Sequence, residues 1–312
     1  MKKPVATGVS LAGIISIVAF LHFHSLPSEG FRPELVARMT AKPLDEVSGM
    51  VKSRKYPDTY WVINDSRNEA MLFAINRDGK TIIPTFSRFS NYGEVKEEGK
   101  KQWQGFRVLY AENKDWEAMT SDANYLYVGD IGNNFSNRKQ LGIYMLSEID
   151  PTASTQSAAL KYLPLRYPET EEDSRNQYDS EALFQADGHL YLITKHKRRG
   201  AVLYRLDTDF TEQDNILVET DRNTSVFNVT GAELSPDGQR LAVISTRDLW
   251  IFNRPENGDA WLSSSARRYP LDTQVVEQVE SVIWDDDHTL LLSNEQRALF
   301  RVNLQELGEN IQ

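Results

Sequence analysis

The residues best suited to chemistry in this chain are acids that recur at one position of a repeated phrase. Asp115, Trp116, Glu117, Ala118, Met119 returns as Asp179, Ser180, Glu181, Ala182, Leu183, and weaker copies lie at Glu46–Met50, Thr230–Leu234 and Gln278–Val282. In this register the third column reads Ser48, Glu117, Glu181, Ala232, Glu280. If the copies are arranged around an axis, three carboxylates and a hydroxyl face one centre. Such acids repel one another unless a positive ion sits between them. The expected metal ligands are therefore Ser48, Glu117, Glu181 and Glu280, and the expected ion is Ca2+, which accepts 6 to 8 irregularly placed oxygens where magnesium demands a tight octahedron. The alternative is that each acid accepts hydrogen bonds from backbone amides of the next repeat.

A second set of polar residues follows each repeat's next apolar run. It includes Asp65, Gly129–Asn134, Lys195–Arg199 and Thr246–Asp248. Lys195, Arg198 and Arg247 are the expected groups for an anionic ligand, gripping a phosphate or carboxylate beside the metal. Asp130 and Asp65 are candidates for activating a water, and His196 for a general base, although a lone loop histidine is commonly just exposed. The catalytic residues otherwise remain unassigned.

The elements that must position these groups are strands. Runs at Tyr60–Ile63, Tyr125–Val128, Leu190–Thr194, Leu241–Ser245 and Thr289–Leu292 are short, β-branched or aromatic, and bounded by turn residues. Third strands are expected at Met71–Ile75, Gly142–Leu146, Val202–Leu206, Leu249–Asn253 and Ala298–Val302, and fourth strands at Ile82–Phe86, Leu160–Arg166, Ile216–Glu219 and Arg267–Leu271. Four antiparallel strands per unit make a propeller blade, so the fold class is all-β, a five-bladed β-propeller, with a sixth, degenerate blade left open. The last copy has no fourth strand of its own. Phe31–Met39 is expected to supply it and close the ring. Ser90–Gln104 and Pro168–Gln177 read as polar surface insertions.

The 312 residues are 40% apolar and 26% charged, with a net charge of -10. An acidic chain of this kind lacks the basic footprint of a nucleic-acid binder. The absence of cysteine excludes disulfides, thiolate metal sites and a cysteine nucleophile. There is no phosphate-binding Walker loop, paired-histidine zinc motif or Gly-x-Ser-x-Gly elbow. Lys2 and Lys3 precede an uncharged stretch from Pro4 to Leu26. At roughly 20 residues it is long enough to span a bilayer, so residues 1–30 are read as a membrane anchor or signal segment and 31–312 as the propeller domain. The anchored form places the domain on the periplasmic side of the inner membrane, and a cleaved form would be secreted.

The phrases Asp115–Met119, Gly129–Asn134, Asp179–Leu183 and Val229–Leu234 resemble a largely uncharacterised family of secreted bacterial β-propeller proteins. More distantly, the ring Ser48, Glu117, Glu181, Ala232, Glu280 is similar to that of the five-bladed calcium-activated nucleotidases, or apyrases. There, serine and glutamate side chains from successive blades surround a central calcium. That likeness implies Ser48, Glu117, Glu181 and Glu280 as ligands here, with Ala232 departing by loss of a hydroxyl. The resulting expectation is an extracytoplasmic propeller with a central calcium and a funnel for a small anionic ligand. A calcium-dependent phosphate ester or anhydride hydrolase and a metal-free scaffold for a protein partner stand as alternatives.

Overall fold

The computed structural model describes residues 30–65, 68–86, 89–90, 100–168, 178–196 and 199–308. The apolar amino-terminal segment, most of the acidic insertion after Pro168, and Arg198 lie outside the described residues. Among those described, no helix is long and apolar enough to cross a membrane.

Among the described residues, twenty strands form five blades. The first runs Val47–Lys52, Tyr60–Asn64, Met71–Ile75 and Phe106–Leu109, and the second Trp116–Ser121, Tyr125–Asp130, Leu141–Ser147 and Gln156–Arg166. The third comprises Ser180–Ala186, His189–Thr194, Ala201–Leu206 and Val218–Asn223, and the fourth Val229–Leu234, Arg240–Ser245, Asp248–Asn253 and Ala266–Pro270. In the fifth, Val279–Asp286, Thr289–Asn294 and Ala298–Asn303 are completed by Glu34–Arg38 from the start of the chain. Glu34 pairs with Arg301 and Arg38 with Ala298, which is the ring closure expected from the sequence. The innermost strands of successive blades touch in cyclic order, the fifth returning to the first.

Strands such as Tyr60–Asn64 and Met71–Ile75 read as nearly continuous apolar runs because each blade is covered on both faces. Alternate side chains serve different neighbours: Met119 packs with Trp61 and Ile63 of the first blade, whereas Ala118 packs with Leu183 and Leu192 of the third. Equivalent clusters join the third blade to the fourth through Phe184 and Phe252, the fourth to the fifth through Ile244 and Phe300, and the fifth to the first through Ile283 and Phe73. A polar residue placed in such a wall loses its water on either face. The third blade's hairpin shows the local turn chemistry, Asp187 at φ 49° and Gly188 at φ 83° joining Ala186 to His189.

Two fourth strands differ from expectation: the third blade's runs Val218–Asn223, with Ile216 pairing instead in parallel with Arg166 of the second blade. The first blade takes Phe106–Leu109 as its outer strand instead of Ile82–Phe86, because Phe106 and Val108 are fully apolar and buried while Ile82 and Ile83 only pack against the core's edge. This strand pairs antiparallel with Met71–Leu72 and parallel with Gln156–Ala158, stitching the outer edges of the first two blades together. The Ser90–Gln104 insertion also ends less loosely than its polarity implies. Trp103 is buried, its ring 4.9 Å from Phe106 and 5.0 Å from Phe89.

Candidate functional site

Near its start, each innermost strand skips one residue in its pairing with the second strand, at the same place in every blade. The skips fall between Val47 and Gly49, Trp116 and Ala118, Ser180 and Ala182, Val229 and Gly231, and Val279 and Ser281. A bulged residue has no cross-strand partner, so its side chain is re-aimed. Here the five bulged residues are Ser48, Glu117, Glu181, Thr230 and Glu280, and all five line a narrow cavity on the axis. Its volume of about 10 Å3 is room for a single water-sized occupant.

This corrects the fourth member of the ring. Ala232 also borders the cavity, but the bulge falls on Thr230, two residues earlier. The signal was present as Val229, Thr230, Gly231, which matches Val47, Ser48, Gly49. The two hydroxyls also act alike. Ser48 Oγ donates to the Trp116 carbonyl and Thr230 Oγ1 to the Val279 carbonyl, each at 2.8 Å and each reaching the next blade. The following glycines permit that approach, since a Cβ on Gly49 would lie 3.0 Å from the Met119 amide and one on Gly231 3.1 Å from Ser281 Cα.

The acids behave differently from the hydroxyls. Glu117 Oε1 and Glu181 Oε2 are buried with no hydrogen-bond partner, so backbone amides do not satisfy them. Burial, then the neighbouring Glu181 and the aspartates at positions 65, 115 and 179, holds the Glu117 carboxyl well above the usual carboxylate range. Glu181 is likewise raised, by burial against the pull of Lys195, and burial pushes Glu280 up to about 8. Buried acids that share one space, resist ionisation and keep unpartnered oxygens are the electrostatic environment a cation would relieve.

The second polar set lies at this same mouth, as the hairpin geometry requires. Asp65 N donates to Glu46 O at 2.9 Å, Lys195 N to Asp179 O at 2.7 Å and Thr246 N to Asn228 O at 3.1 Å. Asp65, Asp115 and Glu117 each offer an oxygen within 4.8 Å of the other two, the one such trio of metal-ligating groups among the described residues. Asp115 is pushed up to about 6, chiefly by burial and then by Asp65. Gly132 lies close against two of the three, for a Cβ there would fall 2.4 Å from Glu117 Oε1 and 2.6 Å from Asp115 Oδ2.

Among the expected catalytic and anion-binding residues, Asp130 is buried and already engaged, accepting from the Asp115 amide at 2.9 Å and from Arg138 at 2.8 Å. It shapes the loop around Asp115. Lys195 turns inward onto Glu181 Oε1, an ion pair that is mostly buried on both sides. Burial disfavours that ammonium, but Glu181, Glu280 and Glu117 together outweigh it and keep it protonated. His196 stands beside Tyr178, ring centroids 6.1 Å apart, and Arg247 is exposed on the fourth blade's rim. The structure thus brings Asp65, Lys195 and the ring acids together and leaves Arg247 outside the cluster. Arg138 was not anticipated as a site residue. It lies eight positions beyond Asp130 in a polar loop, a separation that carries no periodic signal.

No family model matches the chain, and no curated protein sequence does. Solved structures give broad, weak likenesses. Glutaminyl cyclase of Myxococcus xanthus is 12% identical, with a TM-score of 0.48 over 88% of this chain and 94% of that one. A luciferin-regenerating enzyme is 11% identical, at 0.46 over 88% and 77%, and hydrazine synthase of Kuenenia stuttgartiensis 9% identical, at 0.43 over 82% and 70%. The chain spans 66% of the length of a Bacteroides uniformis protein that it matches at 11% identity and a TM-score of 0.40. At these values the likenesses carry no argument about chemistry, and the blade count rests on the strand pairing.

The opposite mouth holds a larger cavity of about 270 Å3 bordered by Lys52, Arg54, Glu233, Trp284 and Asp285. Glu233 Oε2 accepts from the Trp284 amide at 2.6 Å, and burial pushes this carboxyl up to about 7. Asp285 is served by Tyr60, Lys52 and Arg77 and is held below the usual range, the hydrogen bonds and cations outweighing its burial.

Proposed function

We propose that this protein is an extracytoplasmic propeller, anchored in a membrane through residues 4–26, that binds a calcium ion among the acids of one channel mouth and takes a small anionic ligand there. The observation that carries the reading is the pair of buried, unpartnered oxygens, Glu117 Oε1 and Glu181 Oε2, in a ring where every other blade position also offers an oxygen. With Thr230 in the fourth blade, the ring Ser48, Glu117, Glu181, Thr230, Glu280 is nearer to that of the calcium-activated nucleotidases than the sequence register implied. Calcium takes 6 to 8 oxygens, so the protein's groups leave positions for water or for the oxygens of a phosphate or carboxylate. Arg247 on the rim and Arg198, which lies outside the described residues, would supply charge for such a ligand. The anchor reading rests on Lys2, Lys3 and the uncharged stretch that follows them.

Of the candidates for activating water, Asp130 is engaged by Arg138 and the Asp115 amide, which favours binding over catalysis. Asp65 and His196 stand as the candidates for a hydrolase. The test is calorimetric titration of the purified full chain with Ca2+, with melting followed in calcium and in chelator. At about a hundredfold excess over its dissociation constant the ion adds about 2.7 kcal/mol of stability. An unchanged melting temperature together with no heat of binding would overturn the proposal.

A further inference from the structure

One positive charge of the chain already serves part of the acid ring. Lys195 Nζ pairs with Glu181 Oε1, and its charge also acts on Glu280 and Glu117. That ammonium serves the third- and fifth-blade side of the axis. Beyond it Glu181 Oε2 stays buried and unpartnered, and on the first- and second-blade side so does Glu117 Oε1. The same oxygen and Asp115 Oδ2 lie 2.4 and 2.6 Å from the point where a Gly132 side chain would begin, so both face one side-chain-free corner of the mouth.

From this division we infer that the divalent cation binds off the axis, held by Asp65, Asp115 and Glu117 between the first two blades, while Lys195 stands in for it at Glu181 and Glu280. The inference rests on the cation-binding reading above and specifies which acids carry it. Oxygens around one calcium lie about 2.3 to 2.6 Å from the ion, hence up to about 5 Å apart. The trio's oxygens fall within 4.8 Å of one another, inside that span. Arg138 does not take the cation's place. It is committed to Asp130 at 2.8 Å and the Gly132 carbonyl at 2.6 Å, and reaches Asp115 Oδ2 only at 3.8 Å. Asp179, the other acid near Glu117, accepts the Asn133 amide at 2.6 Å.

The experiment is calorimetric titration of Ca2+ into the full-length wild type and into the Asp65→Asn, Asp115→Asn, Glu280→Gln and Glu181→Gln variants, each first checked by its melting curve. Asp65 and Asp115 are both only half-buried, so either variant keeps the test available if the other fails to fold. The expected result is a loss of Ca2+ affinity of tenfold or more in Asp65→Asn and in Asp115→Asn, with less than a threefold change in Glu280→Gln. Loss of affinity in Glu280→Gln and Glu181→Gln with none in Asp65→Asn would overturn the off-axis assignment and leave an axial calcium standing. A wild type that takes up no Ca2+ would overturn both.

Discussion

Replacing Lys195 with methionine in metal-free protein tests the idea of a tethered cation directly. The substitution keeps an unbranched chain of similar length and deletes the ammonium, leaving Glu181 among acids with its side chain only 3% exposed. Breaking a buried ion pair by removing one partner costs about 3 to 5 kcal/mol. Glu181 has an escape, because it can take a proton, and its carboxyl is already raised by burial. The cost of that protonation grows by about 1.4 kcal/mol for each pH unit above the carboxyl's own pKa. The sign follows: the variant loses most where protons are scarce. We expect destabilisation of about 3 to 5 kcal/mol at pH 8.5, where the carboxylate is left unpaired, and a clearly smaller loss at pH 5.5. At about 2 to 4 °C per kcal/mol for a large domain, the loss at pH 8.5 is a drop of about 6 to 20 °C. Calorimetric melting in chelator at the two pH values measures both, and added calcium should recover part of the loss at pH 8.5. Equal losses at both pH values would mean that Lys195 contributes packing alone, and no loss at either would refute the ion pair's role altogether.

The hydroxyl links should be separable from the acids. Ser48→Ala and Thr230→Val each strand a carbonyl of the next blade, and each should cost about 1 to 3 kcal/mol in denaturant unfolding, nearly additively because the two seams share no residue. At the opposite mouth, Glu233 binds its proton more tightly folded than unfolded, so stability falls as pH rises from about 4.5 to about 7. Glu233→Gln should remove about 2 kcal/mol of that decline, discounted for partial exposure, and an unflattened stability profile over that window would contradict it.

The parts of this molecule governed by periodicity were legible from residues alone. The strand runs, the count of blades and the return of Phe31–Met39 to the last blade all follow from apolar patterning and from the cost of an open sheet edge. Ser48, Glu117, Glu181 and Glu280 were legible because a bulge recurs at one place in each repeat. Thr230 was hidden by Ala232, Glu233, Leu234, which mimics the repeat phrase two residues out of step. The first blade's outer strand was hidden by an intervening insertion, since the sequence separation between Ile75 and Phe106 gives no local cue to pairing. Lys195 was read as facing a ligand, and its inward turn is decided by acids on other strands that no spacing rule relates to it.

The strand Phe106–Leu109, which lies along Gln156–Ala158, has a bearing far from where it sits. It laces the rims of two adjacent blades into one plate, so the wedge between them cannot widen without tearing backbone hydrogen bonds. Asp65 belongs to one half of that plate and Asp115 and Glu117 to the other. Ligands fixed to a single rigid body need little reorganisation to meet an ion, and a seam reinforced on the outside keeps its jaws at constant spacing on the inside.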